Sequence, residues 1–105
     1  MFYFYLKKIE KNAIENQGVI EYDDYRDQLV VSFEKKENAM AMNDFVIAHL
    51  QKMQKWFFDV DCNINDLEEI QFIFKFTEKA IKKIEKQQAK QEKIRKKLLQ
   101  KIKDI

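Results

Sequence analysis

Residues 70–84, IQFIFKFTEKAIKKI, are compatible with two secondary structures. Their three phenylalanines occupy every second position, which is the period of a β-strand. The lysine-rich sequence that follows repeats its apolar residues every three or four positions, which is the period of an α-helix. Upstream, Asn65 and Glu68 match the spacing of a helix capping box. We therefore predict one continuous helix over residues 65–105, with a strand at 71–77 as the competing interpretation.

Such a helix would be about 60 Å long at 1.5 Å per residue, longer than a domain of this size requires. Its distal part, residues 85–105, is therefore predicted to project or to meet a partner. One face carries a lysine ridge, which we define as Lys79, Lys82, Lys86, Lys90, Lys93 and Lys97. The opposite face carries a distal apolar seam, which we define as Ile94, Leu98, Leu99, Ile102 and Ile105.

Three glutamines, Gln87, Gln88 and Gln91, separate this seam from the apolar residues around Ile84. A helix that covered only one small core would have no reason to resume its apolar face after them. Three interpretations remain open: the tail folds back, it docks on another protein, or it pairs with a second copy as a coiled coil whose buried glutamines set the register.

The rest of the chain predicts a small sheet and one more helix. The opening FYFYL (2–6) alternates two aromatic faces and is predicted as a strand. Residues 7–17 are compatible with either strand or helix, and in the helical alternative Gly18 would follow as a C′ cap. Strands near 19–23 and 29–34 form a hairpin, and residues 38–58 form an amphipathic helix with Asn38 as its N-cap.

These elements predict an α+β fold in a single domain, residues 1–105. Residues 1–36 are mainly β and supply a small antiparallel sheet, a hairpin or three strands, in the N-terminal third. This sheet packs on two α-helices, of which the C-terminal one is long and amphipathic. Nine Phe, four Tyr and one Trp in 105 residues supply a packed core, and a single Gly with no Pro favours long helices.

Charge is distributed unevenly along the chain. Residues 75–105 carry twelve Lys or Arg against four Asp or Glu, whereas residues 1–74 carry eight against fourteen. This asymmetry indicates a charged partner or self-association, although a solvated surface is equally compatible with it. The eighteen lysines and two arginines also fit an AT-rich genome, which weakens the case that the lysines were selected for binding.

No catalytic, cofactor-binding or metal-binding motif is found. Residues 59–70 place acidic or amide side chains at alternate positions as a calcium loop does, but Ile64 and Ile70 replace its glycine and its bidentate glutamate. His49 has no carboxylate three or four residues away, and Cys62 has no basic neighbour in sequence. The sequence predicts neither an enzyme nor a cofactor. One cysteine and the lack of a signal peptide or membrane span favour a reducing, cytoplasmic compartment.

The hairpin turn is acidic and aromatic, and we define the acidic tip as Asp23, Asp24, Tyr25 and Asp27. Together with the lysine ridge it predicts a non-enzymatic protein that binds a protein or nucleoprotein complex. In size and composition the chain is similar to small inhibitors and accessory proteins of phages and mobile elements that bind host machinery. The alternative is an RNA- or DNA-binding regulator that uses the lysine ridge as a homodimer through the C-terminal helix. Neither hypothesis involves a membrane.

Overall fold

The protein is described by a computed structural model over residues 1–104. Its elements are α1 (Phe2–Glu15), β1 (Val19–Asp23), β2 (Gln28–Phe33), α2 (Lys36–Met53), β3 (Phe57–Ile64), β4 (Ile70–Phe76) and α3 (Glu78–Lys103). The strands form one antiparallel sheet in the order β1-β2-β4-β3. The predicted α+β class, with an antiparallel sheet and a long C-terminal helix, is confirmed. The sheet is larger than expected, and the described chain has three helices rather than two.

The helices cover one face of the sheet, and the core lies between them. The two central strands alternate buried and half-buried residues, and the buried ones are Leu29, Val31, Phe33, Phe72, Phe74 and Phe76. The helices contribute the other buried side chains, among them Phe2, Ile9, Ala13, Met42, Met53 and Ala80. Burying such apolar surface against water drives the packing of the helices on the sheet.

The opening FYFYL is helical, so the predicted strand is wrong, as is the mainly β assignment of residues 1–36. The buried side chains of α1 are Phe2, Tyr5, Leu6, Ile9 and Ala13. Their spacing of three to four residues is helical, and it includes the aromatic residues that seemed to alternate. The helical alternative for residues 7–17 therefore holds as far as Glu15.

Gly18 follows α1, but it is not the left-handed C′ cap that the helical alternative predicts. The left-handed backbone conformation falls on Gln17, with φ of 61°. The Gly18 N–H does donate to the carbonyl of Ala13 at 2.7 Å, as at a helix end. A Cβ at Gly18, however, would lie 2.7 Å from the Phe33 ring, so this glycine permits a close approach of α1 to β2.

The first hairpin lies where the sequence predicts it, but α2 is displaced from its predicted span of 38–58. It begins at Lys36 and ends at Met53, and its N-cap is Lys35 rather than Asn38. It ends early because Phe57, which lies inside the predicted span, is instead buried in the first position of β3. An apolar residue near a helix end fits either period, so the stripe alone could not place the boundary.

The largest correction concerns residues 65–77, where a hairpin and β4 replace the predicted start of the long helix. The Asn65 side-chain oxygen accepts from the N–H groups of Leu67 (3.0 Å) and Glu69 (2.9 Å). Asn65 therefore caps the β3–β4 turn, since the same bonds that cap a helix also close an Asx turn. The strand period of residues 71–77 was the correct signal, and α3 begins at Glu78 with Thr77 as N-cap.

Candidate interaction surfaces around the C-terminal helix

The acidic tip consists of Asp23, the last residue of β1, and three residues of the four-residue turn that leads to Gln28, the first residue of β2. The Asp23 carboxylate is hydrogen-bonded within the hairpin, because it accepts from the Arg26 N–H (3.2 Å) and the Gln28 side chain (3.4 Å). Of the predicted site residues, Asp24, Tyr25 and Asp27 are exposed, and Tyr25 is 94% exposed. The outward charge of the tip thus comes from Asp24 and Asp27.

The tip is also fixed to the sheet. Asp27 has a φ of 51°, a conformation that aspartate tolerates better than most residues. Its carbonyl accepts from the Phe76 N–H at 3.0 Å, next to the start of α3. The acidic tip therefore lies close to α3, a proximity that the sequence analysis did not foresee.

The lysine ridge is on α3, and all six of its lysines are exposed. Near the start of the helix the ridge widens into a cleft of about 410 Å³, lined by Met1, Lys55, Trp56, Lys79, Lys82, Lys83 and Lys86. The amino groups of Lys55 and Lys83 lie 4.9 and 5.3 Å from the centre of the Trp56 ring. None of the residues that line this lysine cleft is acidic.

Hydrogen bonds at the α2–β3 junction build this cleft. The Thr77 hydroxyl accepts from the Ala80 N–H (3.3 Å) and donates to the Lys55 carbonyl (2.7 Å). The Thr77 N–H donates to the Trp56 carbonyl at 2.9 Å. Lys55 and Trp56 are thereby held beside the first turn of α3. Neither residue is predicted by the sequence, because only the tertiary fold brings them to the ridge.

A groove of about 800 Å³ lies on the opposite side of α3 from the ridge. Its lining includes Tyr3 and Leu6 of α1, Tyr22, Asp24 and Asp27 of the hairpin, Phe76, and Ile81, Ile84, Glu85, Gln87, Gln88 and Gln91 of α3. We call it the α3 groove. It is apolar at its base and acidic at the hairpin side.

Two bonds between elements shape the wall of the α3 groove. The Tyr3 hydroxyl donates to the Lys83 carbonyl at 3.0 Å, which joins α1 to α3. The Tyr22 hydroxyl donates to Glu10 at 2.7 Å, which joins β1 to α1. Burial, and next the hydrogen bond to Glu10, raise the pKa of Tyr22 above its ordinary value of 10.0. Tyr22 therefore stays protonated as a donor at neutral pH.

The apolar seam follows the groove along α3. Ile94, Leu98, Leu99 and Ile102 are each between 47% and 66% exposed, and with Gln91 and Arg95 they line a shallow apolar depression. Gln91 belongs to both this depression and the α3 groove, so the two surfaces are continuous. The remaining predicted seam residue, Ile105, lies outside the described residues.

The residues considered for catalysis lie in ordinary structural settings. His49 packs on α2 with its ring 4.7 Å from Phe45 and 6.2 Å from Tyr5. Cys62 is exposed on the edge strand β3, and partial burial raises the pKa of its thiol, which disfavours the nucleophilic thiolate.

The segment that was compared with a calcium loop, residues 59–70, consists of the end of β3, the β3–β4 turn and the first residue of β4. Asp59 and Asp61 lie on β3, where they flank Lys75 of β4 at 3.6 and 3.0 Å. The hydrogen bond to Asp61 is the main cause that raises the pKa of Lys75. Over residues 1–104, no three His, Cys, Asp or Glu side chains are grouped so that they could hold a metal ion.

Comparison of the chain with protein-family models, with curated proteins and with solved structures finds no match. Among the helices of residues 1–104, none combines the length and apolar character needed to cross a membrane.

Proposed function

We propose that this chain is a non-enzymatic interaction protein that binds a protein or nucleoprotein complex through two surfaces of opposite charge. The observation that carries this proposal is their placement on opposite sides of one helix. Asp24 and Asp27 border the α3 groove, and the lysine ridge and lysine cleft lie on the far side of α3. A target can therefore contact both surfaces at once without the two charges neutralising each other.

The chemistry of the two surfaces defines the kind of target. A cluster of lysines without carboxylates attracts phosphates, and this attraction is steeply dependent on salt. Exposed carboxylates on a rigid turn fit a basic protein surface of the kind that holds nucleic acid. A complex that contains both components matches both surfaces, and the acidic tip would occupy positions that phosphates otherwise take. Such binding would inhibit a complex that handles nucleic acid.

The same surfaces support one alternative, a direct RNA- or DNA-binding regulator. The observation that favours it is the extension of the ridge beyond α3 to Lys55, which gives a wider basic surface than a single helix face. Trp56 is only 5% exposed beneath the lysines, so it is not available to stack on bases. Binding by this surface would therefore follow phosphate charge rather than base sequence.

The first experiment is a titration of the full chain against labelled duplex DNA and labelled RNA at several salt concentrations, followed by fluorescence anisotropy. One variant changes Lys82, Lys86, Lys90 and Lys93 to Glu. A matched control changes Lys7, Lys8, Lys11 and Lys35, which are exposed and belong to α1 or the residue before α2 rather than to α3, to Glu. Binding that is lost in the first variant, kept in the control and reduced steeply by salt assigns nucleic acid to the ridge.

A second titration uses a labelled peptide rich in lysine and arginine, with an Asp24→Lys, Asp27→Asn variant. Asn at position 27 tolerates the left-handed backbone, so the turn is retained. If the wild type binds the peptide and this variant does not, the result supports the two-surface proposal. Nucleic-acid binding without any peptide binding would favour the alternative, and absence of both would contradict the assignment of these surfaces.

The proposal that the protein is not an enzyme has its own test. A double variant, His49→Ala with Cys62→Ser, should retain both binding activities, because neither residue lies on the charged surfaces. If a biological effect of the protein disappears in this variant while both binding activities persist, the non-enzymatic proposal is wrong.

A further inference from the structure

We infer that α3 pairs in antiparallel orientation with α3 of a second copy of this chain, and that the distal part of each helix lies in the α3 groove of the other copy. The inference concerns self-association and goes beyond the proposed function. It leaves the lysine ridge exposed, because the ridge is on the side of α3 opposite the groove. Asp24 and Asp27 line the groove, so a basic target that binds the acidic tip competes with the second copy for that surface.

The first observation is that the distal part of α3 has no partner within its own chain. Every residue from 85 to 104 is exposed, although α3 continues to Lys103. Four large aliphatic residues in this part are about half exposed or more, and they form one stripe. Most of the stability of a helix in a protein comes from the packing of its amphipathic face, so a helix with such a stripe gains stability when a partner covers it.

The second observation is the symmetry of the sequence of α3. The midpoint of the helix falls between Lys90 and Gln91. When α3 is paired with a reversed copy about Gln91, Leu98 lies opposite Ile84, and Ile102 lies opposite the turn that contains Ala80 and Ile81. The apolar residues near the start of each helix thus meet the apolar residues near the end of the helix in the other copy.

This register also explains the glutamines that interrupt the apolar face. Gln87, Gln88 and Gln91 fall near the two-fold axis, where they meet one another and the guanidinium of Arg95. Amide side chains can donate and accept at once, so a polar centre of this composition can be satisfied within the pair. Polar residues at such positions are known to fix register and orientation in paired helices.

The third observation is the shape of the α3 groove. It is about 800 Å³ in volume, and its base includes Leu6, Phe76, Ile81 and Ile84. These apolar side chains continue the stripe of α3 from Gln91 towards the helix start. A second helix that runs along this stripe would enter the groove with Leu98 and Ile102 directed to the base.

The fourth observation is charge complementarity. Apart from the ridge residue Lys97, residues 96–104 carry Lys96, Lys101 and Lys103 against a single acidic residue, Asp104. The groove that would receive them carries Asp24, Asp27 and Glu85. An antiparallel pair therefore places each basic tail beside an acidic tip. A parallel pair would instead place two acidic tips side by side and two basic tails side by side, which is unfavourable.

The first test measures the mass of the full chain in solution by sedimentation or light scattering over a range of micromolar concentrations. The expected result is a dimer of the 12.8 kDa chain that dissociates on dilution. Leu98→Glu should raise the dissociation constant at least about tenfold, because it buries a charge in the seam. Ala89→Glu, the same charge on the ridge side of α3, should leave it unchanged. A monomer at every concentration, or equal effects of both variants, would overturn the inference.

The second test determines the orientation. In a Cys62→Ser background, one protein carries Ile84→Cys and another carries Leu98→Cys. An antiparallel pair gives a disulfide only when the two proteins are mixed and oxidised, whereas a parallel pair gives one in each protein alone. Cross-links in the separate proteins would therefore contradict the proposed arrangement.

The third test exchanges charges across the interface. Asp24→Lys with Asp27→Asn should raise the dissociation constant about tenfold at low salt, and less at high salt. Adding Lys101→Glu and Lys103→Glu to the same chain should restore much of the affinity. If the two pairs of substitutions weaken the dimer additively, the tip and the tail do not meet.

Discussion

The two parts of α3 have similar sequences and different surroundings. Residues 78–84 lie against the sheet, with Ala80 buried and Ile81 and Ile84 half-buried, whereas residues 85–104 are exposed on every side. Both parts carry lysines on one face and aliphatic residues on the other. The difference teaches that an amphipathic pattern identifies the face that is buried, but it does not say whether the covering surface belongs to the same chain.

The largest effect is expected when the same substitution is made once in each part. Ala80→Glu places an unpaired carboxylate in the core and should lower the free energy of unfolding by about 3–5 kcal/mol. Ala89→Glu lies on the exposed ridge side and should change it by less than about 0.5 kcal/mol. Urea denaturation of both variants measures the contrast. Similar losses in the two variants would mean that the distal part also packs against the domain.

An intermediate effect is expected at the junction that begins the proximal part of α3, residues 78–84. Thr77→Ala removes the N-cap acceptor and the bond to the Lys55 carbonyl, and it should cost about 1–2 kcal/mol. Thr77→Ser keeps the hydroxyl and is the matched control. Because Lys55 would then be less well held, the alanine variant should also weaken any binding of anions at the lysine cleft. Denaturation and anisotropy report the two effects, and an alanine variant as stable as the wild type would contradict the capping role.

The smallest effect is expected at Tyr22, which forms part of the groove wall beside the proximal part. The folded state raises the pKa of this phenol, so folding favours its protonated form. The contribution of Tyr22 to the free energy of unfolding is complete below the ordinary tyrosine pKa of 10.0 and decreases as the pH rises above that value. Tyr22→Phe should cost about 0.5–1 kcal/mol at neutral pH through the lost bond to Glu10.

The control for this prediction is the pH profile itself. Stability of the wild type should decline more steeply above pH 10 than stability of the Tyr22→Phe variant, as measured by denaturation at a series of pH values. Parallel profiles for the two proteins would show that the phenol does not contribute to the alkaline loss.

The sequence predicted the parts of the fold whose signals are local and unopposed. Val19–Asp23 and Gln28–Phe33 are rich in residues that favour strands and enclose a polar turn, so the first hairpin was predicted almost to the residue. The second hairpin was missed because the spacing of Asn65 and Glu68 matches a helix capping box, whereas Asn65 bonds with Glu69 within a turn. The opening strand was wrongly predicted because residues 2–6 are all apolar or aromatic, and so short a run fits a helix as well as a strand.

The candidate site was predicted only in part for a similar reason. The exposed lysines and the acidic tip belong to single elements, so their sequence was enough to find them. The lysine cleft and the α3 groove are assembled from residues on several elements, such as Lys55 with Lys83, or Leu6 with Ile84. Nothing in the linear sequence relates these residues until the sheet brings α1, the hairpin and α3 together.

The strand order has a consequence for how the chain folds. Each hairpin closes over a short turn, so its two strands can meet early and at a small entropic cost. The central ladder is different, because it joins Val30 to Ile73 and spans all of α2 in sequence. The sheet therefore becomes continuous only when two preformed hairpins dock, and that docking also encloses Phe33 against Phe72. On this basis we expect the slow step of folding to be the meeting of the two central strands rather than the formation of any one helix.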